Sequence, residues 1–89
     1  MKVTNEQIAK ELKDFLVDEL LIDLSPADIS EQASLGNDIG VDSLGFTELM
    51  AHLEDEYKIK ITDEEFKPEN FRTIEVIMNL VQHKLSQQQ

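Results

Sequence analysis

Apolar residues recur at helical spacing in three stretches of this chain and lose step between the first two. Ile8, Leu12, Phe15 or Leu16, and Leu20 follow one another at three- and four-residue intervals, while Lys10, Glu11, Lys13, Asp14 and Asp18 fill the other side. That is the stripe of a helix with one buried face. Thr4 and Gln7 stand at capping-box spacing and mark its start. Phe46, Leu49, Met50, Leu53 and Tyr57 form a second stripe, predicting a helix from about Ser43 to Tyr57. Leu44, Glu48, Ala51 and Asp55 lie on a different face of that helix, expected to be exposed. A third stripe, Ile74, Ile77, Val81 and Leu85, begins after Thr73, a good N-cap.

From Ile22 to Asp42 the period fades. Ser25-Pro26 suits a single helical turn, because a proline at the first helical position gives up an N–H that had no partner anyway. A connection of about twenty residues is long for a small domain, and loops of that kind tend to carry function. Ile29, Leu35 and Ile39 are expected to hold it to the core. Ile59 and Ile61 predict a short extended link, and Pro68-Glu69-Asn70-Phe71 predicts one more turn. The fold expected is all-α: a four-helix bundle with three main helices, one short third helix and a long loop between helices one and two. Residues 1–85 form one domain in this reading, and 86–89 a frayed tail. No internal repeat is visible.

Composition narrows the function. Eighty-nine residues, 40% of them hydrophobic, allow one small folded domain. The net charge of −11 argues against binding nucleic acid and favours partners with basic patches, reached by steering that salt weakens. An acidic surface that serves only solubility is the alternative. No segment has the length and apolarity of a membrane span, so a soluble, cytoplasmic protein is expected. Met1 and the short lead into the first helix suggest a discrete protein, with a module cut from a larger synthase as the alternative, and a monomer is expected. Without cysteine there is no disulfide and no thiolate zinc site, and any thioester sulfur must come from an attached group.

Ser43 is the candidate for attachment. It stands where the long polar loop meets the second helix, with no base beside it in sequence. That suits a handle modified by another enzyme better than a nucleophile. Capping of the helix by Ser43 or Asp42 is the competing reading. His52 and His83 lie far apart on separate helices, which gives no catalytic or metal pair. Asp63-Glu64-Glu65 lacks the alternating ligands and central glycine of a calcium loop.

The wider pattern is more specific than any single motif. Ile29, Ala33-Ser34-Leu35, Asp38-Ile39-Gly40, Asp42-Ser43-Leu44, Glu48-Leu49, Leu53-Glu54, Tyr57, Ile61-Thr62-Asp63-Glu64 and Phe71-Arg72-Thr73-Ile74 together resemble an acyl carrier protein. The resemblance covers roughly residues 4 to 85. It implies a non-catalytic carrier whose Ser43, set between Asp42 and Leu44, holds 4'-phosphopantetheine covalently. It implies a phosphopantetheinyl transferase that attaches the arm, and acyl-activating, elongating or transferring enzymes with basic docking patches. Leu44, Glu48, Ala51, Glu54 and Asp55 would meet those partners. Phe46, Met50, Leu53, Ile61, Phe66, Phe71 and Val76 would line a cleft for the acyl chain, with ordinary core packing as the alternative for each. An aminoacyl or D-alanyl carrier shares the fold and the modified serine. An acidic helical adaptor without a prosthetic group is a third reading.

Some residues depart from the family's usual pattern. Gly45 stands where many bacterial fatty-acid carriers place an acid, at a helix-propensity cost of about 1 kcal/mol relative to alanine. Lys58 and Lys60 dilute the acidity after the second helix, and Phe66 and Phe71 put two aromatic rings near the expected cleft. These departures point to a dedicated carrier for a specialised acyl or polyketide-like pathway.

Overall fold

Each main helix begins where a side chain takes over an amide that the helix leaves free. In the computed structural model, which describes residues 3–87, the Thr4 hydroxyl accepts from Gln7 N at 3.1 Å while Gln7 Oε1 accepts from Thr4 N at 2.9 Å. This capping box starts α1 (Asn5–Asp18). Asp42 caps α2 (Ser43–Tyr57), and Thr73 caps α3 (Ile74–Ser86) through Val76 N. Short 3-10 turns occupy Pro26–Asp28 and Pro68–Asn70, each opened by its proline. The second of these is the short helix expected between α2 and α3. No strand occurs among the described residues, and no helix there is long and apolar enough to cross a membrane.

The three stripes meet in one core. Ile8, Leu12 and Leu16 of α1, Leu49 and Leu53 of α2, and Ile74, Ile77 and Val81 of α3 are buried together. Each such side chain contributes about 1.5–3 kcal/mol by leaving water. Phe46, Met50, Tyr57, Leu20 and Leu85, expected in the stripes, pack only at the edge of this core and stay half-buried. Ile59 and Ile61 bury without forming a regular element.

The long loop is held at both levels, side chain and backbone. Ile29 and Leu35 are buried, and Ile39 packs against the core. Leu35 N donates to Arg72 O at 2.9 Å, and Glu75 N donates to Glu31 O at 3.1 Å, so the loop is tied to the start of α3. One element in it was not expected: a wide helical turn over Leu35–Ile39, capped by Ser34. Gly40 closes it at φ +96°, a left-handed conformation that glycine adopts without strain. Gly40 N and Val41 N both donate to Leu35 O, which turns the chain sharply into Asp42. At the other end, Ser86, the first residue of the expected tail, belongs to α3 and donates its hydroxyl to His83 O at 2.8 Å. Residues 88–89 of the expected tail lie outside the described residues.

Candidate functional site

Capping at the head of α2 falls to Asp42 and not to Ser43. Asp42 Oδ1 accepts from Gly45 N at 2.8 Å, while Ser43 is the first helical residue. The Ser43 side chain is exposed and, among the described residues, its hydroxyl has no hydrogen-bond partner. Its backbone carbonyl is used differently, accepting from Thr47 Oγ1 at 3.0 Å. The hydroxyl is therefore a free group on a fixed base, at the end of a helix where the dipole favours an added negative charge. Ser34 makes the contrast. It borders the groove beside Ser43, but its oxygen accepts from Asn37 N and so has a structural task.

A groove of about 460 Å³ opens beside Ser43. Phe46 and Thr47 of α2 form one side of it, and Phe66, Pro68 and Phe71 another. The rings of Phe66 and Phe71 meet edge to face, 5.0 Å apart at 86°. Lys67 and Arg72 stand on its border, two of only eight basic residues in the chain. The wall is pinned from below. Lys84 Nζ lies 2.8 Å from Glu65 Oε1, and Phe66 N donates to Thr62 O. Lys84, then the Thr62 amide and hydroxyl, hold the Glu65 carboxyl down to about 2.

Of the seven residues expected to line an acyl cleft, Phe46, Phe66 and Phe71 border this groove. The other four do not. Leu53 and Ile61 are locked into the core at 0% and 4% exposure, and Met50 and Val76 are half-buried elsewhere. Helical stripe position alone does not separate groove from core, because both demand apolar side chains.

The outer face of α2 is close to expectation at four of its five positions. Leu44 is 67% exposed, and Glu48, Ala51 and Asp55 are exposed as well. Glu54 differs. It is half-buried, and its Oε2 accepts from Ile61 N at 2.8 Å, closing the link that follows α2. Gly45 also reads differently in three dimensions. A β-carbon there would stand 3.0 Å from Val41 Cγ1, 3.3 Å from Asp42 Oδ1 and 3.4 Å from Leu20 Cδ1. The glycine keeps a crowded junction clear where the loop, α1 and α2 converge, and is not merely a missing recognition acid.

His52 has a role that sequence spacing concealed. Its Nε2 lies 3.0 Å from Glu11 Oε1, and its ring stacks on Phe15 at 4.4 Å. This ties α1 to α2. Glu11, His52 and Glu56 bring ligand-capable atoms within 4.8 Å of one another, the grouping among the described residues that comes nearest to a cation site. Burial, followed by the Glu11 and Glu56 charges, pushes the nearby Tyr57 hydroxyl up to about 12. No signal in the linear sequence pairs residues 11 and 52.

Comparison with known proteins bears on the free serine. Residues 10–81 match the family described as a phosphopantetheine attachment site. An acyl carrier protein of Thermosynechococcus vestitus is 29% identical over 84 residues, covering 94% of this chain and 99% of its own length. One from Solidesulfovibrio magneticus is 36% identical over 58 residues, covering 65% of this chain and 72% of its own. The group that the family carries, 4'-phosphopantetheine bound covalently to a serine, fits what lies at the head of α2. An exposed hydroxyl without a partner among the described residues would give it a root, and the cations of Lys67 and Arg72 border the adjacent groove. A free serine at the end of a long pinned loop, three helices around one apolar core, and the match over residues 10–81 agree, and the chain belongs to the phosphopantetheine-binding acyl carrier protein family.

Proposed function

We propose that Ser43 is the seat of the prosthetic group and that the chain is a carrier of acyl groups, with no catalytic step of its own. When bound, the 4'-phosphopantetheine arm supplies the thiol on which acyl groups ride as thioesters. The observation that carries this reading is the division of labour at the head of α2, where Asp42 caps the helix and leaves the Ser43 hydroxyl free. A nucleophilic serine needs a base within reach, and no histidine borders the groove beside Ser43. What the chain contributes is placement. A rigid root on α2 confines the cargo to a small volume and raises its effective concentration near each partner.

The groove between Phe46, Phe66 and Phe71 is the proposed shelter for the cargo. Leu44, Glu48, Ala51 and Asp55 are the proposed docking face for a phosphopantetheinyl transferase and for acyl-activating, elongating or transferring enzymes. Carboxylates around a small apolar spot suit brief encounters with basic surfaces. The cargo belongs to fatty-acid or polyketide-like biosynthesis. The aromatic walls and Lys58 and Lys60 after α2 favour a dedicated pathway. If housekeeping elongation enzymes turn this carrier over as well as their own, the dedicated pathway is wrong.

The seat itself is tested by intact mass. Incubated with coenzyme A, magnesium and a broad-specificity transferase, the chain gains one phosphopantetheine, and Ser43→Ala gains none. A wild-type chain that stays unmodified contradicts the proposal.

A further inference from the structure

Leu21 is a leucine in a place that suits glycine. After α1, Leu20 N donates to Phe15 O and Ile22 N donates to Leu16 O, a helix end closed by wide hydrogen bonds. Such an end needs one residue in the left-handed region, and Leu21 supplies it at φ +57°. A β-carbon there crowds the following carbonyl, which is why glycine or asparagine usually takes the position. Burial does not compensate, since Leu21 is 79% exposed. Lys58 takes the same conformation after α2, but a cation suits a helix C-terminus. No comparable reason holds for an exposed leucine.

Its surroundings give one. Leu20 and Ile22, on either side of it, line a hollow of about 220 Å³ together with Leu44 of α2. Glu19, Asp42 and Glu48 border the same hollow. The closeness of Gly45 to Leu20 Cδ1 shows how tightly the end of α1 meets the first turn of α2. Leu21 and Leu44 are the two most exposed large apolar side chains among the described residues, and Leu44 directly follows Ser43.

We propose that Leu21, Leu44 and the acid-rimmed hollow form a docking surface that extends the α2 face across to the end of α1. Its occupant is a protein surface bearing an apolar side chain among lysines or arginines, on an enzyme that acts at Ser43. Charge complementarity argues for that occupant: three carboxylates ring the apolar spot on a chain of net charge −11. Strain kept at an exposed residue also fits a contact surface better than a folding role. The inference rests on Ser43 being the seat.

The experiment compares the wild-type chain with Leu21→Gly and Leu21→Asn, both of which accept the left-handed conformation. Transferase loading is measured against chain concentration, with melting temperatures in parallel. The expected result is a KM for the chain raised about fivefold or more in both variants, with kcat little changed and melting temperatures equal or higher. Unchanged KM overturns the docking surface, and so does a lower melting temperature in both variants, which marks a structural residue. A wild-type dimer abolished by Leu21→Gly assigns the patch to a second copy and overturns it as well. Failure to load the wild-type chain removes the seat and the surface together, whereas failure of the variants to differ removes only the surface.

Discussion

Which residue caps a helix decides which one remains available for chemistry. Aspartate and serine are near-equal N-caps, so sequence alone leaves Asp42 and Ser43 exchangeable in that role. The fold separates them, because the Gly40 turn delivers the chain so that Asp42 Oδ1 reaches Gly45 N. Gly45 shows the same limit from the other side. Its helix-propensity cost was legible, but its reason was not, since Val41 and Leu20 approach only after loop and helix have packed. Gly45→Ala therefore destabilises the chain. Crowding a stiff, buried valine costs about 1–3 kcal/mol, more than the roughly 1 kcal/mol that helix propensity returns, and less near a helix end. A denaturant midpoint at or above wild type contradicts this. Glu65 gives a pH prediction. Its folded carboxyl is held near 2 against an ordinary 4.5, so its tie to Lys84 stabilises the fold above about 4.5 and is lost as pH falls from there toward 2. The melting-temperature gap between wild type and Glu65→Gln should narrow over that range. A constant gap contradicts it.

Elements were the most legible level. Helix periodicity and caps locate α1, α2 and α3 because both signals are local: a stripe needs only 3.6-residue spacing, and a cap only a side chain three residues from its amide. Thr4-Gln7 and Thr73 start their helices as their spacing predicts. What depends on distant partners was not legible. The wide turn at Leu35–Ile39 needs Arg72 O to receive Leu35 N, and the Glu11–His52 tie spans 41 residues. Glu54 belongs to this group. Expected beside Asp55 on the partner-binding face, it turns inward because Ile61 N would otherwise lack a partner when the link buries. Glu54→Ala should lower stability by about 1–3 kcal/mol with little effect on the salt dependence of partner kinetics. A stability loss under half a kilocalorie, or a changed salt slope, would return Glu54 to the outer face.

At the scale of the whole molecule, the proposed carrier role joins the acidic surface to the free serine. Nineteen acids against eight bases leave a negative field around the head of α2, while Lys67 and Arg72 sit on the groove side. On the proposed function, that field would steer basic partners over distances that salt shortens to about 10 Å at 0.1 M. Glu48→Gln and Asp55→Asn should each slow partner turnover more at low salt than at high salt, read from loading rates across a salt series. Equal slowing at both ends would mean that these carboxylates act only by contact. The four-residue remainder of the expected cleft, Met50, Leu53, Ile61 and Val76, shows where whole-molecule reasoning from sequence stops. Apolar positions predict burial well, and burial is shared by core and groove alike.

The most direct measurement is the location of the modification within the chain. After transferase treatment, tandem mass spectrometry of proteolytic fragments should place phosphopantetheine on Ser43 alone. Its appearance on Ser34, or on Ser25, Ser30 or Ser86, would contradict the central claim, as would fragments that carry no modification.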